Sequence, residues 1–310
     1  MRTRLPLRIG TRGSPLALVQ ARMVREALAA ADPDLAAEDA VEIRVVSTTG
    51  DRVRDRPLAE IGGKGLFTKE IEDGLLDGSL DLAVHSMKDV PTFLPAGLVI
   101  AATLPRADPR DALIANGTRK IADLPAGAVV GTASLRRAAQ LLAARPDLRV
   151  VPLRGNVGTR LAKVEAGEVA ATFLAMAGLV RLGLAEAASA PLEPAEMLPA
   201  VAQGAVGIET RADDDALHEL LARVSHADTF RCMVAERAFL AALEGSCRTP
   251  IAALAELAGG RVRFAGLVAR PDGTGLRRLE REGPEADAEV IGATAGAELR
   301  GVLPPDFFGA

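Results

Sequence analysis

A glycine turn that runs into an amphipathic helix, an apolar strand and then a methionine occurs twice in this chain, from Gly63 to Met87 and from Gly155 to Met176. A second pair of segments matches as well. Ile9-Gly10-Thr11 leads to Ser14 at the start of a helix, and Val129-Val130-Gly131-Thr132 leads to Ser134 in the same way. Alternating strands and helices build mostly parallel sheets with helices on both faces. The repetition therefore predicts two related α/β domains facing each other across a cleft.

The local signals agree. Arg8–Thr11 reads as a strand, followed by a helix with Ser14 as cap, Pro15 in its first turn and Leu16, Val19, Met23 and Ala27 as its apolar face. Val41–Ser47 and Asp81–His85 read as further strands, with Leu66, Ile71 and Leu75 turned inward between them. In the second half, Ala170–Leu174 is a strand. Beyond the polar break at Ala212–Asp215 come a helix over Thr229–Leu243 and strands near Arg261–Ala269 and Arg277–Arg281, a small α+β domain. Crossings near Pro105–Pro109 and Pro199–Gly204 divide the chain into 1–104 with 205–222, 105–204, and 223–310.

Chemistry concentrates in DLAVHSMKDVPT, Asp81 to Thr92. An apolar run empties directly into His85, Ser86, Lys88 and Asp89, and Pro91 stops any helix from continuing. An ionised side chain is costly to desolvate without a partner. Lys88 and Asp89 belong at the mouth of an α/β crevice if a charged or strongly hydrogen-bonding ligand docks there, or in a solvated loop if they pair with each other.

Arginine placement is the sharper signal. Of 37 basic residues only five are lysine, leaving 32 arginines; a GC-rich genome gives the same excess, so position matters more than number. With Ser134 as cap, Arg136 and Arg137 fall in the first turn of a helix, where each cation opposes the helix dipole by ~0.3–1 kcal/mol. Free N–H groups at the same end attract anions. Arg160, after Gly158-Thr159, and Arg12, before Ser14, repeat the pattern. Pairing with surface carboxylates is the inexpensive alternative; four such arginines favour a polyanion. Gly62-Gly63-Lys64-Gly65 lacks the spacing and hydroxyl of a P-loop, and no GxGxxG follows a strand, so a nucleotide is not expected.

Composition excludes other classes. A net charge of −4 argues against nucleic acid or an anionic membrane as partner, and no apolar run approaches the ~20 residues of a membrane span. The basic N-terminus has no continuous apolar stretch for export. Two cysteines, Cys232 and Cys247, without a CxxC or Cys/His cluster, predict neither a disulfide scaffold nor a metal site, and the expected compartment is the cytoplasm.

Nine segments in order, IGTRGSPLAL, GGKGLF, AVHSMKDVPT, DPRDAL, GTASLRRAAQLL, LRGNVGTRL, AGLVRLGL, AVAQGAVGIE and EGSCRTPI, resemble the porphobilinogen deaminase (hydroxymethylbilane synthase) family over residues 8 to 254. Ala133 and Ser246 depart from the serine and glycine some members carry there. The resemblance implies two periplasmic-binding-protein-like α/β domains around a cleft plus the small C-terminal α+β domain. It also implies a transferase that joins four porphobilinogen molecules head to tail with loss of ammonia, giving linear hydroxymethylbilane for tetrapyrrole synthesis. The family builds its product on a dipyrromethane cofactor held by a thioether, and Cys247 matches the attachment position. Asp89 matches the catalytic carboxylate. Arg12, Ser14, Lys64, Lys88, Thr132, Ser134, Arg136, Arg137, Arg154, Arg160, Arg181 and Gln203 match cofactor- and substrate-binding positions. A monomer is expected, since nothing signals an oligomer interface.

The chemistry is consistent with this. Each porphobilinogen carries an acetate and a propionate, so the growing product accumulates negative charge, which suits guanidinium forks. Other residues read more plainly. His85 satisfies a hydrogen bond at a strand end, His218 and His226 lie on the surface, Cys232 is a small buried residue, and Phe67 and Phe93 pack in a core or cleft wall. From the residues alone, Cys247 is equally a reactive or an inert thiol. Two other functions stay open: a two-lobed dicarboxylate-binding module, and a hydrolase built on Cys247 and His85.

Overall fold

A computed structural model describes residues 5–52, 65–246 and 249–308. In chain order the strands are β1 (Leu7–Arg12), β2 (Val41–Val46), β3 (Leu82–Ser86), β4 (Leu98–Thr103), β5 (Asp111–Ala115), β6 (Val129–Gly131), β7 (Arg149–Val151), β8 (Ala171–Ala175), β9 (Ala190–Pro191), β10 (Val206–Arg211), β11 (Ile251–Ala258), β12 (Arg261–Val268) and β13 (Arg277–Pro284). The helices are α1 (Pro15–Ala31), α2 (Thr49–Arg52), α3 (Lys69–Leu76), α4 (Leu135–Ala144), α5 (Val157–Glu165), α6 (Met176–Arg181), α7 (Asp215–Ala222), α8 (Ala227–Ala242) and α9 (Ala288–Val302). Two compact units result, one of residues 1–106 with 205–230 and one of 107–204 with 231–310.

The first unit holds a sheet in the order β2-β1-β3-β10-β4, and the second a sheet in the order β7-β6-β8-β5-β9. These are one topology used twice. The three strands β2, β1 and β3 are parallel, as are β7, β6 and β8. In each sheet the next strand, β10 or β5, runs antiparallel to its neighbours. In the first sheet that strand is the last in sequence and in the second it is the first. The repeat read from the glycine turns is thus a repeat of whole sheets.

Both faces of each sheet are covered. Leu113 of β5 enters one apolar cluster while its neighbours Ala112 and Ile114 enter another on the opposite face, as the period of a strand requires. On the first sheet α1 and α7 cover one face and α3 the other. The apolar face of α1 is Ala21, Val24 and Leu28, with Gln20 buried beside them; Met23 and Ala27 only flank it, and Leu16 and Val19 are half-buried. The expected stripe is displaced because Gln20, a polar residue, is drawn inward by a hydrogen bond to Ser86.

The C-terminal sheet, β11-β12-β13, is antiparallel. Its first strand and the covering helix α9 were not foreseen in the sequence, because IAALAELA suits either a helix or a strand and α9 is rich in alanine and glycine. Phe239 of α8 meets Phe264 of β12 at a ring distance of 5.2 Å. Gly292 of α9 lies against the Ala235 carbonyl of α8, an approach that leaves no room for a Cβ.

Candidate active site

The parallel strands place the matched residues where α/β sheets bind ligands, just beyond their carboxyl ends. Arg12 ends β1 and Ser14 follows it. Ser86, Lys88 and Asp89 close β3. Thr132 and Ser134 follow β6, Arg154 and Arg160 follow β7, and Arg181 ends the helix after β8.

In the first unit, Arg12, Ser14, Gln20, Phe67, Thr68, His85, Ser86 and Asp89 line an open pocket. Ser14 caps α1 by accepting from the Ala17 amide at 3.2 Å. The Arg12 guanidinium stacks over the Phe67 ring at 4.2 Å, which fixes its planar fork. Gln20 donates to Ser86 Oγ at 2.8 Å. Asp89 is exposed and Lys88 half-buried. Phe67 is part of the pocket wall, whereas Phe93 is 65 % exposed and packs in no core, a correction to the expectation for it.

The second unit gathers Arg136, Arg137 and Gln203 around a residue the sequence reading passed over. Asp111, first in β5 and 0 % exposed, accepts from Arg136 Nη1 at 2.7 Å, from Arg137 Nη2 at 2.7 Å and from Gln203 Nε2 at 2.9 Å. The arginines also donate to the carbonyls of Leu198 and Phe173, both at 2.8 Å. Burial alone would push the Asp111 carboxyl up, but the two guanidiniums outweigh it and hold the group well below the usual carboxylate range. Burial pushes Arg136 down. Neither arginine reaches out to a surface carboxylate. An internal anion answers part of the dipole problem posed by cations in the first turn of α4, and one carboxylate between two guanidiniums leaves an excess positive charge. Asp111 had the same signature as Asp89, a charge at the end of an apolar run in DPRDAL, but at the strand's beginning.

Ser134 accepts from the Arg137 amide at 3.4 Å and Thr132 Oγ1 from the Ser134 amide at 3.1 Å, so both hydroxyls shape the start of α4. Asn156 caps α5, and Arg160 Nε donates to the Gly155 carbonyl at 2.9 Å. Gln203 sits in a turn in which Ala202 has φ of 57° and Gly204 of 90°; the Ala202 amide donates to the buried Glu236 of α8, which holds that turn. Arg181 donates to the Gly204 carbonyl at 2.7 Å. Its Nε is buried with no hydrogen-bond partner, and among the described residues no carboxylate pairs with it. Burial alone pushes its guanidinium down. Lys64 and Cys247 lie outside the described residues.

Of the remaining residues, His85 is buried with Nε2 2.9 Å from Glu209 Oε2. Cys232 is 6 % exposed. His226 is exposed and caps α8 through Thr229, while His218 is half-buried and bonded to Thr210 Oγ1 at 2.9 Å, so it is less of a surface group than expected. No group of three metal-ligating side chains and no helix long and apolar enough to cross a membrane occurs among the described residues.

Fold and site together define a two-sheet α/β protein with a small C-terminal domain and arginine-rich strand ends that suit a polycarboxylate. Residues 7–219 match the family model described as porphobilinogen deaminase, dipyromethane cofactor binding domain, and residues 230–301 match its C-terminal domain. The chain belongs to the porphobilinogen deaminase family. It is 59% identical over 303 residues to the porphobilinogen deaminase of Paracoccus denitrificans (strain Pd 1222), covering 98% of this chain and 96% of that one. It is 54% identical to the chloroplastic porphobilinogen deaminase of Oryza sativa subsp. japonica, over 97% of this chain and 85% of the other. Among solved structures, a putative methionine-binding lipoprotein from Bacillus subtilis is similar at 14% identity and a TM-score of 0.42, over 73% of this chain and 92% of that one. A TRAP periplasmic solute binding protein from Desulfovibrio salexigens aligns at 11% identity and a TM-score of 0.43, over 72% and 73% of the two chains.

Proposed function

We infer that this chain is a hydroxymethylbilane synthase: it condenses four porphobilinogen molecules head to tail, releasing ammonia, into linear hydroxymethylbilane on a covalently attached dipyrromethane, for tetrapyrrole synthesis. The observation that carries the chemistry is Arg181, a largely buried guanidinium whose Nε has no partner and which no described carboxylate neutralises. A buried cation in that state is costly unless an anion arrives. The carboxylate arms of dipyrromethane and of the growing product are such anions, so the residues present fit the group.

When bound, dipyrromethane supplies the pyrrole carbon from which the product grows. Cys247 is the residue to carry it, by a thioether. Arg136, Arg137, Ser134, Thr132, Arg154, Arg160, Arg181 and Gln203 hold acidic arms or shape the helix starts that do so. Arg12, Ser14, Lys88 and Lys64 serve incoming substrate. Asp89 stands at the pocket with its carboxylate exposed, able to accept from pyrrole N–H groups and to stabilise the positive charge that develops on the ring as ammonia leaves.

Intact mass of the purified protein tests the reading. The expected result is a dipyrromethane-sized adduct on Cys247, a positive aldehyde colour reaction for pyrroles and stepwise additions when porphobilinogen is supplied. An unmodified Cys247 in active protein would refute it. Action as a monomer, absence of nucleic-acid or membrane partners and residence in the cytoplasm complete the proposal, to be checked by sedimentation and fractionation.

A further inference from the structure

Behind the pocket of the first unit stands a group of ionisable side chains that this reading does not use. His85 and Glu209 share one face of the sheet, on the antiparallel pair in which His85 is opposite Gly207 and Ala83 opposite Glu209. Glu72 reaches the same group from α3, the helix that covers this face. His85 and Glu72 are each 5 % exposed and Glu209 is 0 % exposed. Glu209 Oε2 engages His85 Nε2 at 2.9 Å, while Glu209 Oε1 and Glu72 Oε1 are buried without a hydrogen-bond partner among the described residues.

Two buried carboxylates with orphaned oxygens cannot both be ionised cheaply. Burial pushes the Glu72 carboxyl up, and the charge of Glu209 adds to the effect, while His85 works against it. The other groups near this site are Thr68 before α3 and Asp73 on it, Ser86 at the end of β3, Asp89 beyond it and Arg12 at the end of β1, and Arg211 further along β10. Arg211 is already engaged by the Leu75 and Leu80 carbonyls and by Asp214. With Glu209 Oε2 as acceptor for the Nε2–H tautomer of His85, Nδ1 is the lone-pair nitrogen of a ring that lines the same pocket as Asp89.

We propose that His85 takes up the proton released in each condensation, with Glu209 as the positioning residue that holds its ring and stabilises the imidazolium. The proposal rests on the synthase reading. In each round the C–N bond of the aminomethyl group, which enters as its ammonium form, breaks and the electron pair leaves with ammonia. The new C–C bond forms at the free carbon of the terminal ring. The C–H bond at that carbon then breaks, its electron pair returns to the ring, and the proton goes to His85 Nδ1. His85 passes that proton to the departing ammonia, which leaves as ammonium, so the imidazole is regenerated and nothing else is consumed. Burial pushes the Glu72 carboxyl up, which favours its neutral form over a second negative charge beside Glu209. The logic is that of a carboxylate–imidazole pair acting on a reacting atom.

The experiment uses holoenzyme whose cofactor loading is counted by intact mass. His85→Ala is expected to keep its loading and a KM within about twofold of the parent, to lose at least about tenfold in kcat, and to regain activity when imidazole is added. Glu209→Gln should lose kcat with KM unchanged and show an altered solvent deuterium isotope effect. A His85→Ala enzyme with normal kcat, or one whose deficit imidazole leaves untouched, overturns the proposal. Should His85→Ala not fold, infrared spectra of the unmodified holoenzyme decide. A buried protonated-carboxyl band that vanishes in Glu72→Gln supports the assignment, and its absence overturns it. Unmodified enzyme that makes no hydroxymethylbilane would instead sink the function itself.

Discussion

Arg136 Nη1 lies 2.7 Å from Asp111 Oδ2 in an ion pair that solvent does not reach, at the start of the helix where the sequence called for an outside anion. The pair is therefore both a structural element and the base of the proposed cofactor site. Removing one partner of a buried pair leaves the other uncompensated and costs about 3–5 kcal/mol. Asp111→Ala is expected to lose stability of that order in urea unfolding; a variant as stable as the parent would contradict the pairing. Arg136→Leu should be isolated largely without cofactor, read by intact mass, and full loading would count against its role.

Acid should act through the same residue. The carboxyl of Asp111 is held below its unfolded value of about 3.9 by Arg136 and Arg137. Its contribution is then present above that unfolded value and lost as pH falls through the lower folded one. Urea midpoints are expected to fall below about pH 4 in the parent and to fall less steeply in Asp111→Asn, which starts from a lower stability. Parallel profiles for the two proteins would rule this out.

Glu72 has the opposite sign. Burial raises its carboxyl above the unfolded value, so the stability it permits is complete below about 4.3 and declines as pH rises through the folded value. Glu72→Gln stays neutral at every pH. It is expected to unfold at higher urea than the parent at pH 8, with the gap closing towards pH 4. Identical midpoints at pH 8 would mean that Glu72 is not the strained member of its cluster.

Asp89 is exposed on the pocket rim, free of the packing that would make its loss a folding defect. Asp89→Ala should leave stability and attached cofactor unchanged and lower the rate of hydroxymethylbilane formation by about 10²–10³, the usual effect of deleting one electrostatic stabiliser. A variant retaining most of its activity would remove Asp89 from the mechanism.

Much of the molecule is legible in the chain because the signals are local. Ser14, Ser134 and the glycine turns mark helix starts wherever they occur, and the twofold recurrence of those marks announces two related sheets. The strand β11 and the helix α9 escape because IAALAELA and an alanine-glycine run carry no decisive period. The buried face of α1 departs from Leu16, Val19, Met23 and Ala27 because the inward turn of Gln20 depends on Ser86, distant in sequence. Asp111, Glu209 and Glu72 are not legible for the same reason: their partners lie on other elements, whether the carboxylate stands beside an apolar run, as Asp111 and Glu209 do, or in a charged helix, as Glu72 does.

The amino-acid sequence by itself determined the α/β class, the family and the residue types gathered at the strand ends, since periodicity, caps and motifs are written along the chain. Only the tertiary structure decided which charges meet. It turned Arg136 and Arg137 inward to Asp111, left Arg181 without a carboxylate among the described residues and joined His85 to Glu209. Such pairings follow from strand order and helix packing, and desolvation makes them strong only once the elements have closed around them.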